Sequence, residues 1–583
     1  MGQSRSSRDI IQFDAFELDP EAGELRKDGA KVRLQDQPLQ VLQILLEQPG
    51  KVISREELQQ RIWPSDTFVD FDHGINNAIK RLREALADTA ETPLYIETLP
   101  RRGYRFKATV NGAASTLRKG GAPLDSIAIF PFETSSSDPD TDYLAIGIPG
   151  SVIHGLSQVP NLRVISWRRA ASEESPHRDP LVIGRKLGVR AVLTGRIWQR
   201  ENKLRLHVDL LDTANGEEIW GDQYDSDLAE LFAVQDSISR EVSQKLRLRM
   251  TGETESRLVK RYTENIEAYQ LCVKARRWCE KRSAEGFRRG IEYLTKAIQI
   301  DPNYALAHAE LAQCISVPAY GYGLVDPNVA YPKAKASAMR ALEIDPDLAE
   351  GHEVLATVLK NYDWNREAAE KEYRRTIQLN PNYATGHYHY SYLLAEAGRF
   401  DEAIHEATEA LSRDPISPLL NAGLAFVFLL ARQYDRCVQQ ILTAIEVDPG
   451  MILCYFVLGT AYEQKGQLTA AIEAYQKGIA LGGPVPLQKA FIGHVHGSAG
   501  EVTRAREILQ ELKRLSETTY VPLVTSVIVY DGLGERQLAL ETLGRACENR
   551  DTLLVFLETW PQFDYIRDDP RFQEIERRVG LRV

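Results

Sequence analysis

The sequence predicts a multidomain protein with three successive folds: an α+β unit closed by a β-hairpin, a small α/β module, and an all-α solenoid of repeats. Three observations carry this. Residues 54–106 set two amphipathic helices ahead of two alternating strands. From Leu124 to about Met250, short apolar strands interleave with helical stretches. Beyond Glu264 a proline-punctuated pattern recurs about every 34 residues. At 583 residues the chain is too long for a single core. The expected boundaries are 1–110 for the first domain, 111–123 for a linker, 124–250 for the α/β module, 264–550 for the repeats and 551–583 for a terminal cap.

The first unit begins strand-like. Between Ile10 and Leu34, turn signals at Asp19-Pro20, Ala22-Gly23 and Asp28-Gly29 divide short segments into a small sheet. A first helix follows from Pro38 to Glu47, with Leu39, Leu42 and Leu46 on one face. Ser54 and Glu57 form a capping box, and Leu58, Ile62 and Trp63 supply the apolar stripe of a second helix. Pro64 ends that helix, because it lacks an N–H and its ring blocks the turn. Asp70 or Asp72 then caps a third helix, whose Ile75, Ile79, Leu82 and Leu86 share one face.

The opposite face of the third helix carries His73, Asn76, Asn77, Lys80, Arg81 and Arg83. Asn pairs with adenine edges, and Arg or Lys with guanine edges or phosphates; a helix of this width fits the major groove. Tyr95 to Thr98 and Tyr104 to Phe106 alternate as two strands around Pro100-Arg101-Arg102-Gly103. A basic hairpin tip beside a basic helix suits a minor-groove or phosphate contact. Taken singly, each of these residues reads as an ordinary solvated charge; their order is what points to DNA.

The stretches SREEL, Trp63, IKRLREAL and YIETLPRRGYRF resemble, in that order, the winged helix-turn-helix of OmpR/PhoB-type regulators, over about residues 10 to 110. The resemblance implies that Arg55 and Trp63 touch backbone phosphates. It puts Asn76, Asn77, Lys80, Arg81 and Arg83 in or beside the major groove, and it makes Arg101, Arg102, Tyr104 and Arg105 the wing. Response-regulator wings tend to read Arg-Gly-x-Gly-Tyr; here Pro100 stands at the Arg position, so the arginine that enters the minor groove stays open. No receiver domain precedes this unit and no membrane helix follows it, unlike CadC and ToxR regulators. Phosphorelay membership is implied by the domain family alone.

Residues 111–123, NGAASTLRKGGAP, read as a small-residue linker. In the next module, strands are expected at Ser126 to Phe132, Leu162 to Ser166, Ala191 to Trp198, Lys203 to Leu211 and Glu217 to Tyr224. Helices are expected at Tyr143 to Leu156, Pro180 to Leu187 and from near Asp227 through Val242. The stretches SIAIFPF, IGRKLGVRAVLTGRI and GEEIWGDQYD resemble a TolB-amino-terminal-like module. No GxxxxGK, no G-x-S-x-G and no carboxylate pair at metal spacing occurs, so Gly147, Gly150 and Gly155 read as turn and packing positions.

Prolines then recur at 302, 346, 381, 415 and 449, spaced by 44, 35, 34 and 34 residues. A 34-residue period of helix-turn-helix units is that of the tetratricopeptide repeat. An extra loop from Ser316 to Asn328 accounts for the first, longer spacing. Such arrays offer a groove to a protein or peptide partner. His387, Tyr388, Tyr390 and Tyr392 are candidates to line it, against the plainer reading of inter-repeat packing.

A formal net charge of −11 argues against indiscriminate coating of nucleic acid and requires a local basic patch for any DNA contact. Six scattered cysteines without a C-x-x-C pair read as buried reduced thiols. His387/His389 and His494/His496 are two apart, and on a helix such residues face away from each other, so no metal site is expected. The sequence thus predicts a cytoplasmic bacterial one-component regulator that is not an enzyme and needs no cofactor. Its partners would be promoter double-stranded DNA, bound as a homodimer on tandem half-sites, and a protein or peptide; no membrane is involved. The competing reading is an interaction scaffold whose winged helix binds protein, since acidic and basic residues balance in residues 1–110.

Overall fold

The computed structural model describes residues 11–19, 24–27, 29–32, 34–47, 50, 52–62, 71–89, 93–99, 102–108, 111–112, 124–134, 142–159, 162–166, 179–200, 202–246, 258–320, 323–482 and 486–581. It divides into two compact units, residues 1–123 and 124–583.

The first unit opens with strands β1 (Ile11–Phe13), β2 (Phe16–Asp19), β3 (Glu24–Lys27) and β4 (Ala30–Val32). They pair antiparallel in sequence order. Gly29 closes the β3–β4 turn at φ 80°, a left-handed conformation that glycine adopts without a Cβ clash. Helix α1 (Asp36–Glu47) starts two residues before Pro38, which a first turn tolerates because its N–H would be unbonded anyway. Strand β5 (Val52–Ile53) leads into α2 (Arg55–Ile62), where the Glu57 N–H donates to Ser54 Oγ at 3.1 Å, as the capping box requires. Then come α3 (Phe71–Leu86), β6 (Ile96–Leu99) and β7 (Gly103–Phe106), with β5, β7 and β6 side by side in a second antiparallel sheet. Trp63, Pro64, Asp70 and Arg101 lie outside the described residues.

Ile75, Ile79, Leu82 and Leu86 are at most 2% exposed. They meet Leu42, Leu45 and Leu46 of α1 and the ring cluster of Phe13, Phe16, Tyr95 and Phe106. Full burial of such side chains contributes about 1.5–3 kcal/mol each, which fixes the rotation of α3 and leaves its polar face outward. One expectation is corrected here. Asn111–Gly112, read as the start of a linker, forms strand β8 and pairs antiparallel with β1, so backbone hydrogen bonding extends the domain past residue 110.

The second unit begins with a six-stranded mixed sheet. Strands β9 (Ser126–Ile129), β11 (Arg163–Ser166) and β12 (Ala191–Arg200) run parallel. Strands β13 (Lys203–Asp212) and β14 (Glu218–Asp227) extend the sheet antiparallel, and β10 (Glu133–Thr134) adds to β12. Helices α4 (Asp142–Ser157), α5 (Pro180–Lys186) and α6 (Leu231–Lys245) occupy the expected places. Gly155 is a packing position: a Cβ there would lie 2.3 Å from the Leu258 carbonyl oxygen.

Helix pairs follow from Ile266 to Glu548. The first helix of each central pair is buried nearly all round, as in Pro418–Leu430, where every residue from Leu420 on is buried. The second helices bury one stripe only, such as Ala403, Ala407 and Ala410. The long first spacing is not one extended loop. It is spent mainly on longer helices, Ala305–Tyr320 of 16 residues and Pro327–Ile344 of 18, against 13 and 14 in the next pair.

A further expectation changes. Cys279 and Cys314 are disulfide-bonded, while Cys272, Cys437, Cys454 and Cys547 are free and buried. The bridged pair is 35 residues apart, close to one repeat period, so the repeat geometry brings together two cysteines that no local motif links. The α/β module is also joined to the repeats: Tyr269 OH bonds Ser151 Oγ at 3.0 Å and Gln235 Nε2 at 2.9 Å, and Asn380 Nδ2 donates to Ser157 Oγ at 3.0 Å.

Candidate nucleic-acid interface

The polar face of α3 and the β6–β7 hairpin enclose a cleft of about 360 Å³. Arg55, Asn76, Lys80, Arg83, Glu84, Asp88, Thr98 and Tyr104 are among its lining residues. Five of the expected site residues therefore meet in one place, drawn from α2, α3 and β7. At its floor, Arg55 Nη2 donates to Asn76 Oδ1 at 3.0 Å and to Tyr104 OH at 2.9 Å, and Tyr104 OH donates to Asn76 Oδ1 at 3.0 Å. The Arg55 guanidinium also lies 5.3 Å from the Tyr104 ring centroid. These three side chains tie both helices to the hairpin.

Arg83, expected in the groove, is engaged within the protein: its Nη2 donates to the Ile96 carbonyl and to Thr98 Oγ1, both at 2.8 Å. Arg105 faces Glu97 across the hairpin, with Nε to Oε2 at 2.8 Å, as the strand register that pairs the two residues dictates. Arg81 bonds Gln35. Asn77, Lys80 and Arg102 differ: they are exposed, and their side chains make no hydrogen bond or ion pair with another described residue, although the Arg102 backbone N–H donates to the Leu99 carbonyl at 3.0 Å across the hairpin turn. His73 sits in the first turn of α3, and Trp63 and Arg101 lie outside the described residues.

Sequence reasoning missed Asp88. This buried carboxylate accepts the backbone N–H groups of Thr89 (3.0 Å), Leu94 (2.7 Å), Tyr95 (3.1 Å) and Ile96 (2.8 Å). It fixes the root of the hairpin to the end of α3. Nothing in the local pattern distinguishes it from a solvated acid one turn past a helix. Beside it, burial, then the hydrogen bond to Asp14, pushes the Tyr95 hydroxyl pKa up to about 12, so the ring anchors the core as a neutral donor.

Comparison with known proteins now adds to this geometry. Residues 29–106 match the family described as transcriptional regulatory protein, C terminal. The first domain belongs to the OmpR/PhoB-type regulator family. Residues 124–241 match the second domain of HilA/YgeH-like transcriptional regulators, and this is the family to which the module read as TolB-like corresponds. Tetratricopeptide repeats match at 365–418 and 453–481. The chain is 23% identical to the transcriptional regulator HilA of Salmonella typhi over 577 residues, 96% of each chain. It is 32% identical to a putative adenylate cyclase 3 of Rhizobium meliloti (strain 1021) over 252 residues, 42% of each chain. It is 31% identical to the cholera toxin transcriptional activator of Vibrio cholerae over 139 residues, 23% of this chain and 47% of that one. The chain thus spans less than half the length of the last two.

The OmpR/PhoB-type domain is followed here by a repeat array that does not present the expected groove residues. His387, Tyr388, Tyr390 and Tyr392 are only 5–6% exposed. His387 bonds Glu406 (2.6 Å) and the Pro381 carbonyl (3.0 Å), Tyr388 OH donates to Tyr392 OH (3.1 Å), and Tyr390 OH donates to Glu370 (2.9 Å). They pack within the repeat array, and the absence of a side chain at Gly423 makes room for the Tyr388 ring, which a Cβ there would meet at 2.4 Å. The histidine pairs diverge as expected, His389 toward Glu353 and His496 toward Glu501. No described helix is long and apolar enough to cross a membrane.

Proposed function

We propose that the chain is a one-component transcriptional regulator that reads promoter DNA with Asn77 and Lys80 in the major groove and Arg102 at the wing. The observation that supports this is the contrast on one surface. Three donor side chains stay exposed, Lys80 in the cleft and Asn77 and Arg102 outside its lining, while Arg55, Asn76, Tyr104, Arg83 and Asp88 are spent holding helix and hairpin in fixed relation. Free donors on a rigid frame suit base and phosphate recognition, since the frame needs no reordering and only the donor side chains lose freedom on binding. A single module reads few bases, so the regulator acts as a homodimer on tandem half-sites. It works in the cytoplasm, catalyses no reaction, and receives its signal from a protein or peptide through the repeats. Its likeness to a relative named as a cyclase extends over 42% of that relative and supplies no catalytic constellation.

The test is selection of bound sequences from a random duplex library by the full chain. A short tandem motif that weakens when Asn77 and Lys80 are changed to Ala is the expected result. Absence of enrichment at low salt would refute the reading and leave the first domain as a protein-binding fold.

A further inference from the structure

The first helices of the central repeats are buried on two sides, and the second helices cover only one of them. What covers the other is the chain's own segment from Asp551 to Asp569. It is built from two 3-10 turns, Thr552–Phe556 and Pro561–Phe563, and does not continue the helix-turn-helix pattern.

Two aromatic side chains anchor it. The Phe556 ring lies 6.5 Å from Tyr320 and 5.4 Å, edge-on, from Phe426. Trp560 stacks on Phe556 at 5.1 Å and meets Phe456 at 6.3 Å and Phe491 at 5.6 Å. Polar contacts accompany them: Thr552 Oγ1 donates to the Ala319 carbonyl at 3.1 Å, Arg366 donates to the Val555 carbonyl at 3.4 Å, and Arg432 pairs with Asp564 at 3.0 Å. One short segment therefore touches first helices drawn from residues 305 to 498, which is where a bound peptide would lie.

The fit is incomplete. Lys360 bonds one oxygen of Glu396 at 2.6 Å, and both side chains are sealed from solvent. The second Glu396 oxygen, the Tyr320 hydroxyl, the Trp560 indole N–H and both amide atoms of Gln562 are buried without a hydrogen-bond partner among the described residues. Such groups destabilise the closed arrangement, so aromatic contact holds the segment while polar mismatch favours its exchange.

We propose that Asp551–Asp569 is an intramolecular ligand of the repeat groove. The protein partner of the repeats is one that displaces it with a segment bearing two large aromatic side chains four residues apart. This rests on reading the repeats as the interaction domain and is independent of DNA binding.

Hydrogen exchange on the full chain tests it, with and without an excess of a synthetic peptide of residues 549–569. Amides of 552–567 should exchange at least tenfold faster than those of Pro418–Leu430, and the peptide should accelerate them further. A peptide with Phe556→Ala and Trp560→Ala should have no effect. The full-length Trp560→Ala chain should bind labelled peptide at least tenfold more tightly than the natural chain. Exchange of the segment in step with Pro418–Leu430 would overturn the proposal and make the segment a fixed part of the core. This reading of exchange holds even where the variant fails to fold. Independent opening with no peptide effect would also overturn it, while leaving the repeats free to use another surface.

Discussion

Replacing Asp88 by Ala removes the acceptor for four backbone N–H groups at the root of the wing. The N–H groups of Tyr95 and Ile96 belong to residues only 6% and 0% exposed, so water cannot replace the carboxylate there. A buried donor left without a partner costs about 1–3 kcal/mol. Thr89 and Leu94 are exposed and rehydrate, adding little. The expected loss is about 2–6 kcal/mol for the two buried donors, a large share of the roughly 5–15 kcal/mol that stabilises a domain. Asp88→Asn keeps one acceptor oxygen and should lose roughly half as much. Urea unfolding of residues 1–123, one compact unit, followed by circular dichroism gives the number directly. DNA binding should weaken across all sequences with an unchanged salt dependence, because no phosphate contact is removed. An Asp88→Ala protein within about 0.5 kcal/mol of the natural one would refute the argument that this carboxylate holds the wing.

Further outcomes follow from the same structure. Gly103→Ala puts a Cβ 1.9 Å from the Ile53 carbonyl oxygen at φ +127°, so β5 must leave β7; a loss of roughly 3 kcal/mol or more is expected in the same urea assay. Lys80→Ala and Arg102→Ala should each reduce the slope of log affinity against log salt by about 1 if they meet phosphates. Asn77→Ala should instead relax preference at one base position, at about 1–3 kcal/mol; titrations at several salt concentrations separate the two. His494 sits between Glu463 (2.5 Å) and Asp531 (3.2 Å). Burial pushes its pKa down, but the two carboxylates outweigh this and raise it to about 10. A raised folded pKa gives stability that is fully present below the unfolded value of about 6.5 and is lost as pH climbs toward 10. Thermal melts between those limits should fall for the natural chain and flatten for His494→Gln.

Local rules read much of this chain correctly, and their failures share a cause. The capping box at Ser54, the apolar face of α3, the hairpin and the 34-residue period all depend on residues within a turn or two of each other. Steric and hydrogen-bonding rules act at that range. Which polar residues stay free could not be read so. Asn77 and Arg83 look alike as donors on a helix, yet one faces solvent and the other is consumed by Ile96 and Thr98, because the hairpin returns to that flank of α3 alone.

The sequence by itself determined the order of domains, the buried face of α3 and the repeat period, since each is written in the spacing of neighbouring side chains. Only the tertiary structure decided that Asp88 holds the wing and that Cys279 meets Cys314. It also decided that the aromatic residues of 387–392 are interior and that the groove of the repeats is filled by residues some 230 positions downstream of Ala319. Those outcomes arise from contacts distant in sequence, whose partners are selected by packing of the whole unit and leave no periodic trace in the chain.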